Sequence, residues 1–117
     1  MRQLVLVLPI PPSVNAAYRN VAGVGRVKTE VLRRWIETAG WDAKSQMPRN
    51  YPPMIGPVSV DIQIQRPKNR RDIDNCAKAP LDLLTKMHVW DDDSQVHDLR
   101  LRWANVEGCH VTVSELS

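Results

Sequence analysis

Eight residues in the middle of the chain, Val58 to Gln65, alternate without a break: Val58, Val60, Ile62 and Ile64 are apolar, and Ser59, Asp61, Gln63 and Gln65 are polar. A period of two in β-branched residues predicts a strand with one buried face and one wet face. Such a strand needs neighbours in a sheet and a layer packed on its apolar side. Pro67 ends it. Around and after that proline come four cations, Arg66, Lys68, Arg70 and Arg71, and then Asp72 and Asp74.

The other segments are read around this strand. QLVLVL at 3–8 is a short apolar run followed by prolines, which predicts a strand. Being apolar on both faces, it is expected at the centre of the sheet. Pro9, Pro11 and Pro12 predict an extended loop through Asn15, Tyr18 and Arg19, and Gly23 and Gly25 extend the loop to Lys28. Thr29 is a candidate N-cap with Glu30 in the first turn. Val31, Leu32, Trp35, Ile36 and Ala39 then recur at helical spacing to about residue 45. Trp35 is expected in the core, and Trp41 has no clear place. A proline-rich linker, 47–57, precedes the alternating strand. The helix after Asp74 contains Pro80, so its first turn must start late or kink. Leu99, Leu101 and Trp103 alternate with Asp98, Arg100 and Arg102. With the turn at Glu107–Gly108 and the run HVTVS, they read as a terminal antiparallel hairpin. The expected fold is a single α+β domain over 1–117, a small mixed sheet with helices packed on it, in the order β-α-β-α-β-β.

At 117 residues, with 43% hydrophobic and 25% charged residues, the chain has the size and composition of one globular domain. Its net charge of +3 permits nucleic-acid binding without requiring it. Cys76 and Cys109 have no zinc spacing and read as buried, reduced thiols. Leu4–Leu8 is too short to span a membrane. No targeting segment is recognised, and a cytoplasmic protein with no membrane partner is expected.

The chemistry lies between residues 66 and 96. Asp72 and Asp74 are separated from Asp91, Asp92 and Asp93 by roughly twenty residues and a helix. A helix and a turn allow the two clusters to meet. Two carboxylates about 4 Å apart repel by roughly 4 kcal/mol at an effective dielectric of about 20, so a cluster needs a cation, a proton or bulk water. Hard divalent cations take oxygen ligands, and Mg²⁺ uses one or two carboxylates with phosphates and waters. The adjoining cations suit an anionic backbone. This pattern points to metal-assisted phosphodiester cleavage. The alternative is a solvated acidic turn and a helix cap, with Lys78 merely paired to Asp74 or Asp82.

The stretch RRDIDNCAKAPLDLLTK, followed by WDDDSQV, resembles the RusA family of Holliday junction resolvases, and LPIPPSVNAAYR resembles that family's proline-rich opening. The resemblance implies a homodimeric, Mg²⁺-dependent endonuclease (Mn²⁺ as a substitute) that resolves four-way junction DNA by paired symmetric nicks. It places the essential aspartates at Asp72, Asp74 and Asp93, which are also the implied metal ligands, and the catalytic lysine at Lys78. Asn75 and Gln95 match motif positions, and Asp92 is secondary. Asn15, Arg66, Lys68, Arg70 and Arg71 are the expected DNA-binding residues. Val14 departs from relatives with a second asparagine there. Three rival readings remain at this level: a flap or single-strand nuclease with the same site, a non-enzymatic DNA-binding module, and an acidic surface for a protein partner.

Overall fold

A computed structural model describes residues 2–116. Four strands form one mixed sheet: β1 (Gln3–Leu8), β4 (Val58–Gln65), β5 (Val96–Ala104) and β6 (Cys109–Glu115), in the order β1-β6-β4-β5. β6 runs antiparallel to both its neighbours, and β5 is parallel to β4. Between β1 and β4 come a short helix α1 (Val14–Ala17), a hairpin of β2 (Tyr18–Val21) and β3 (Gly25–Lys28), and the long helix α2 (Glu30–Gln46). A 3₁₀ turn, Ile73–Cys76, leads into α3 (Lys78–Lys86), and a second, Asp93–Gln95, leads into β5.

The register lines up the apolar residues in rows across the sheet. Leu4, Val113, Val60 and Leu99 form one row; Leu6, Val111, Ile62 and Leu101 the next; Leu8, Cys109, Ile64 and Trp103 the third. Apart from Leu99, which is 42% exposed, these rows join Leu32, Trp35, Ile36 and Ala39 of α2 and Leu83 and Leu84 of α3 in one core. The opposite face carries Asp61, Gln63, His110 and Thr112, all partly exposed. The sheet is therefore covered by helices on one side only. Thr29 caps α2 as expected, its hydroxyl accepting from Leu32 N at 3.4 Å. Pro80 is accommodated because α3 starts only at Lys78, which puts the ring in the first turn, where no intrahelical donor is needed. No helix among the described residues is long and apolar enough to cross a membrane.

Three expectations fail. The apolar run 3–8 is an edge strand. Its even residues are buried, whereas Val5 and Val7 are 54% and 44% exposed on the open face. Gln46 of α2 closes that edge: its amide accepts from Val7 N and donates to Val7 O, both at 2.7 Å, as a neighbouring strand would. The expected loop is ordered: Val14–Ala17 form a short helix capped by Ser13, and residues 18–28 form a hairpin, with Gly23 and Gly25 at positive φ around its turn. The terminal strands do not pair with each other, because β4 lies between them. A parallel β4–β5 pair needs a helical crossover, which α3 supplies. The 105–108 turn then crosses the end of β4, two strand spacings or about 10 Å. Gln65 holds that crossing, its backbone N donating to Gly108 O and its side chain accepting from Gly108 N.

Gly108 has φ 75°, and a Cβ there would lie 2.5 Å from Leu8 O. Gly108→Ala is expected to cost at least about 1–2 kcal/mol from the left-handed backbone alone, with the clash adding to it. A thermal melt would show this as a lowered Tm.

Candidate functional site

The segment from Arg66 to Gln95 is held to the fold at a few points that leave its charged groups outward. Arg71 donates from Nη2 to Pro11 O at 3.0 Å, which joins the basic run to the proline-rich segment. Cys76 is buried under the first 3₁₀ turn, and burial raises its thiol pKa. Burial likewise pushes Cys109 up to about 12, so both thiols are free and protonated at neutral pH. Asp72 and Asp74 stand exposed on either side of Ile73. Neither carboxylate forms an ion pair among the described residues. Arg66, Lys68 and Arg70 are also exposed and without an acidic partner. Asn15 lies exposed on α1, whose N-cap is Ser13.

The second acidic group divides by role. Trp90 is fully buried and donates from Nε1 to Thr85 Oγ1 at 2.7 Å, which fixes the end of α3. Asp92 caps the 3₁₀ turn, accepting from Ser94 N at 3.2 Å, and these hydrogen bonds from Ser94 hold its carboxyl below the usual carboxylate range. Gln95 closes the capping box, accepting from Asp91 N and Asp92 N. Its amide nitrogen donates to Met54 O and Gly56 O, each at 2.9 Å, which pins the proline-rich linker to the turn. Asp92 and Gln95 are thus structural, and Asp91 and Asp93 are left exposed.

The two clusters do not gather within one chain: no group of three or more His, Cys, Asp or Glu that could hold a metal occurs among the described residues. Asp72 and Asp74 precede α3, and Asp93 follows it. The nine residues of α3 rise about 13 Å between them. The return strand, β5, starts only after Asp93.

Lys78 lies 3.0 Å from Asp82 Oδ1, one turn along α3, and so pairs with Asp82 rather than Asp74. Tyr18 donates its hydroxyl to the other oxygen, Asp82 Oδ2. Burial, then this hydrogen bond and the Asp82 charge, raise the Tyr18 pKa and keep the phenol protonated. Arg26 lies over the Tyr18 ring, 5.6 Å from its centre. The i,i+4 spacing of Lys78 and Asp82 was visible in sequence. The part played by Tyr18, sixty-four residues earlier, carried no such signal.

The Lys78–Asp82 pair is partly exposed, so Lys78→Ala is expected to cost less than about 1 kcal/mol. Tyr18→Phe removes a buried hydroxyl bonded to a charged group and should cost about 1.5–3 kcal/mol. Urea denaturation of the two variants would test this order.

A family model described as Endodeoxyribonuclease RusA matches residues 9–114. The chain is 36% identical over 103 residues to the crossover junction endodeoxyribonuclease RusA of Escherichia coli (strain K12), covering 82% of this chain and 78% of that protein. The corresponding proteins of Shigella sonnei (strain Ss046) and Enterobacteria phage 82 are 35% and 34% identical over the same shares.

Proposed function

The chain belongs to the RusA family of endodeoxyribonucleases, and on that footing we propose that it resolves Holliday junctions by cutting four-way junction DNA with paired nicks that depend on Mg²⁺. The observation that carries the reading is the pair Asp72 and Asp74, exposed and without an ionic partner among the described residues, beside three exposed cations for which the same holds. Free carboxylate oxygens fit a hard divalent cation, and phosphate and water complete its shell. Asp72, Asp74 and Asp93 are the proposed ligands of Mg²⁺, with Mn²⁺ able to take its place. Such an ion, when bound, supplies Lewis acidity toward the phosphodiester and lowers the pKa of a coordinated water. Arg66, Lys68 and Arg70 draw the DNA backbone over the carboxylates, and Asn15 borders the same strand. Arg71 holds the basic run to the proline-rich segment and adds positive charge. Lys78, 43% exposed and held by Asp82, is positioned to neutralise charge that develops on the phosphate.

Two cuts require two sites, and one chain does not bring Asp93 to the other two aspartates. A two-fold homodimer answers both needs. The unprotected edge of the sheet, β5, suits it. An antiparallel self-pairing centred on Leu99, itself 42% exposed, sets Asp98 of each copy opposite Arg100 of the other. It also draws Asp93, in the turn just before β5, toward the opposite end of the other copy's β5.

Asp74→Asn should reduce nicking of a synthetic mobile four-way junction in Mg²⁺ by about a hundred-fold or more, since several kcal/mol of charge stabilisation are lost, while junction binding persists. Flap and duplex controls test junction preference. A variant that cuts at the wild-type rate rejects the site. For the dimer, Asp98→Arg should raise the dissociation constant in analytical ultracentrifugation, and adding Arg100→Asp should restore it. If the double swap fails to rescue, β5 is not the interface.

A further inference from the structure

A groove of about 1000 Å³ lies between the second half of α2 and the end of α3, away from the aspartates. Lys28, Arg33, Lys44, Arg49 and Lys86 line it, against one carboxylate, Glu37. Of these cations only Arg33 has an acidic partner among the described residues, Glu30, in an exposed pair at 3.6 Å. Trp41, on the same wall, is 70% exposed, although Trp35 and Trp90 are buried in the core. The indole contributes little to the core from there. The only non-glycine residues with positive φ among the described ones, Asn50 at 56° and His88 at 60°, both line this groove. At His88 the left-handed backbone ends α3, with Val89 N donating to Leu84 O.

A ring with a free face among unpaired cations is the pattern of a surface for unpaired nucleic acid. Bases stack on the ring, and the phosphates follow the positive charge. The groove also connects with the proposed cutting site. Lys78 is held by Asp82, Asp82 accepts from Tyr18, and Tyr18 lies opposite Lys28 in the β2–β3 register. From Lys78 to Lys86, α3 rises about 12 Å.

We propose that this groove is a second DNA-binding site, which holds unpaired nucleotides from the branch point of the junction, with one base stacked on Trp41 and the backbone between Lys44, Arg49 and Lys86. This rests on the reading of the chain as a junction nuclease. The occupant is unpaired DNA rather than a duplex arm, because the aromatic face offers nothing to a stacked base.

The test uses the whole protein, a four-way junction carrying 2-aminopurine at the branch point, and a short single strand, both without divalent metal. Trp41→Ala should weaken single-strand binding about 5- to 150-fold, the range that base stacking on a ring confers, and abolish the change in branch-point fluorescence. Lys44→Ala, Arg49→Ala and Lys86→Ala together should lower the slope of log affinity against log salt by about 2, at about 0.7 per cation on a single strand. All four side chains are exposed at the surface, and a matching thermal melt confirms that the variants fold. Wild-type affinity, salt slope and fluorescence in both variants, with nicking by the unaltered protein intact, overturn the groove as a DNA site and leave it to a protein partner. Absence of nicking by the unaltered protein overturns the underlying reading instead.

Discussion

The burial of β4 sets the rest of the structure. Val58, Val60, Ile62 and Ile64 are each at most 1% exposed, and β4 has a strand on both sides. Its apolar face needs α2 and α3 above it, and its backbone needs β5 and β6 beside it. The parallel partner is available only through a crossover, so α3 must sit between β4 and β5 in the chain. That requirement places one group of aspartates at the start of α3 and the other at its end. The separation of the acidic clusters follows from the way the central strand is covered.

The acidic motifs combine two kinds of work that composition cannot separate. In W-x-D-D-x-Q-V, the tryptophan fills the core, the first acid of the pair caps a turn, and the glutamine fastens a loop from forty residues earlier. These contacts hold the backbone so that Asp93 is exposed to solvent, with no ion pair among the described residues. Around D-x-D, Cys76 is buried below the turn and Arg71 ties it to Pro11, while Asp72 and Asp74 stay outward. A rigid turn that carries free carboxylates is what metal-assisted phosphodiester chemistry needs, because ligands that remain in place on binding lose little freedom.

Much of this was legible in the chain. The alternation at 58–65, the cap at Thr29, the burial of Trp35 and the late start of the helix at Pro80 each rest on a local rule, and each is present. The errors have a common cause. The run 3–8, apolar on both faces, reads as a central strand, but an edge strand can leave Val5 and Val7 half open. The hairpin at 18–28 was hidden by glycines that mark a turn as readily as a loop. The last two strands looked like a hairpin because only four residues join them, yet β4 draws one to each side.

The sequence by itself determined the elements, the caps and the residue types at the site, because these depend on periodicity and on neighbours within a few positions. It determined the family as well, since the D-x-D-N-x-x-K and W-x-D-D-x-Q-V patterns lie in order along the chain. Only the tertiary structure decided which strand is central, which aspartate is a cap and which is free, and that Lys78 pairs with Asp82 while Tyr18 holds its other oxygen. It also left Trp41 in a cationic groove. These outcomes depend on contacts between segments tens of residues apart, which arise only when the apolar rows of the sheet come into register.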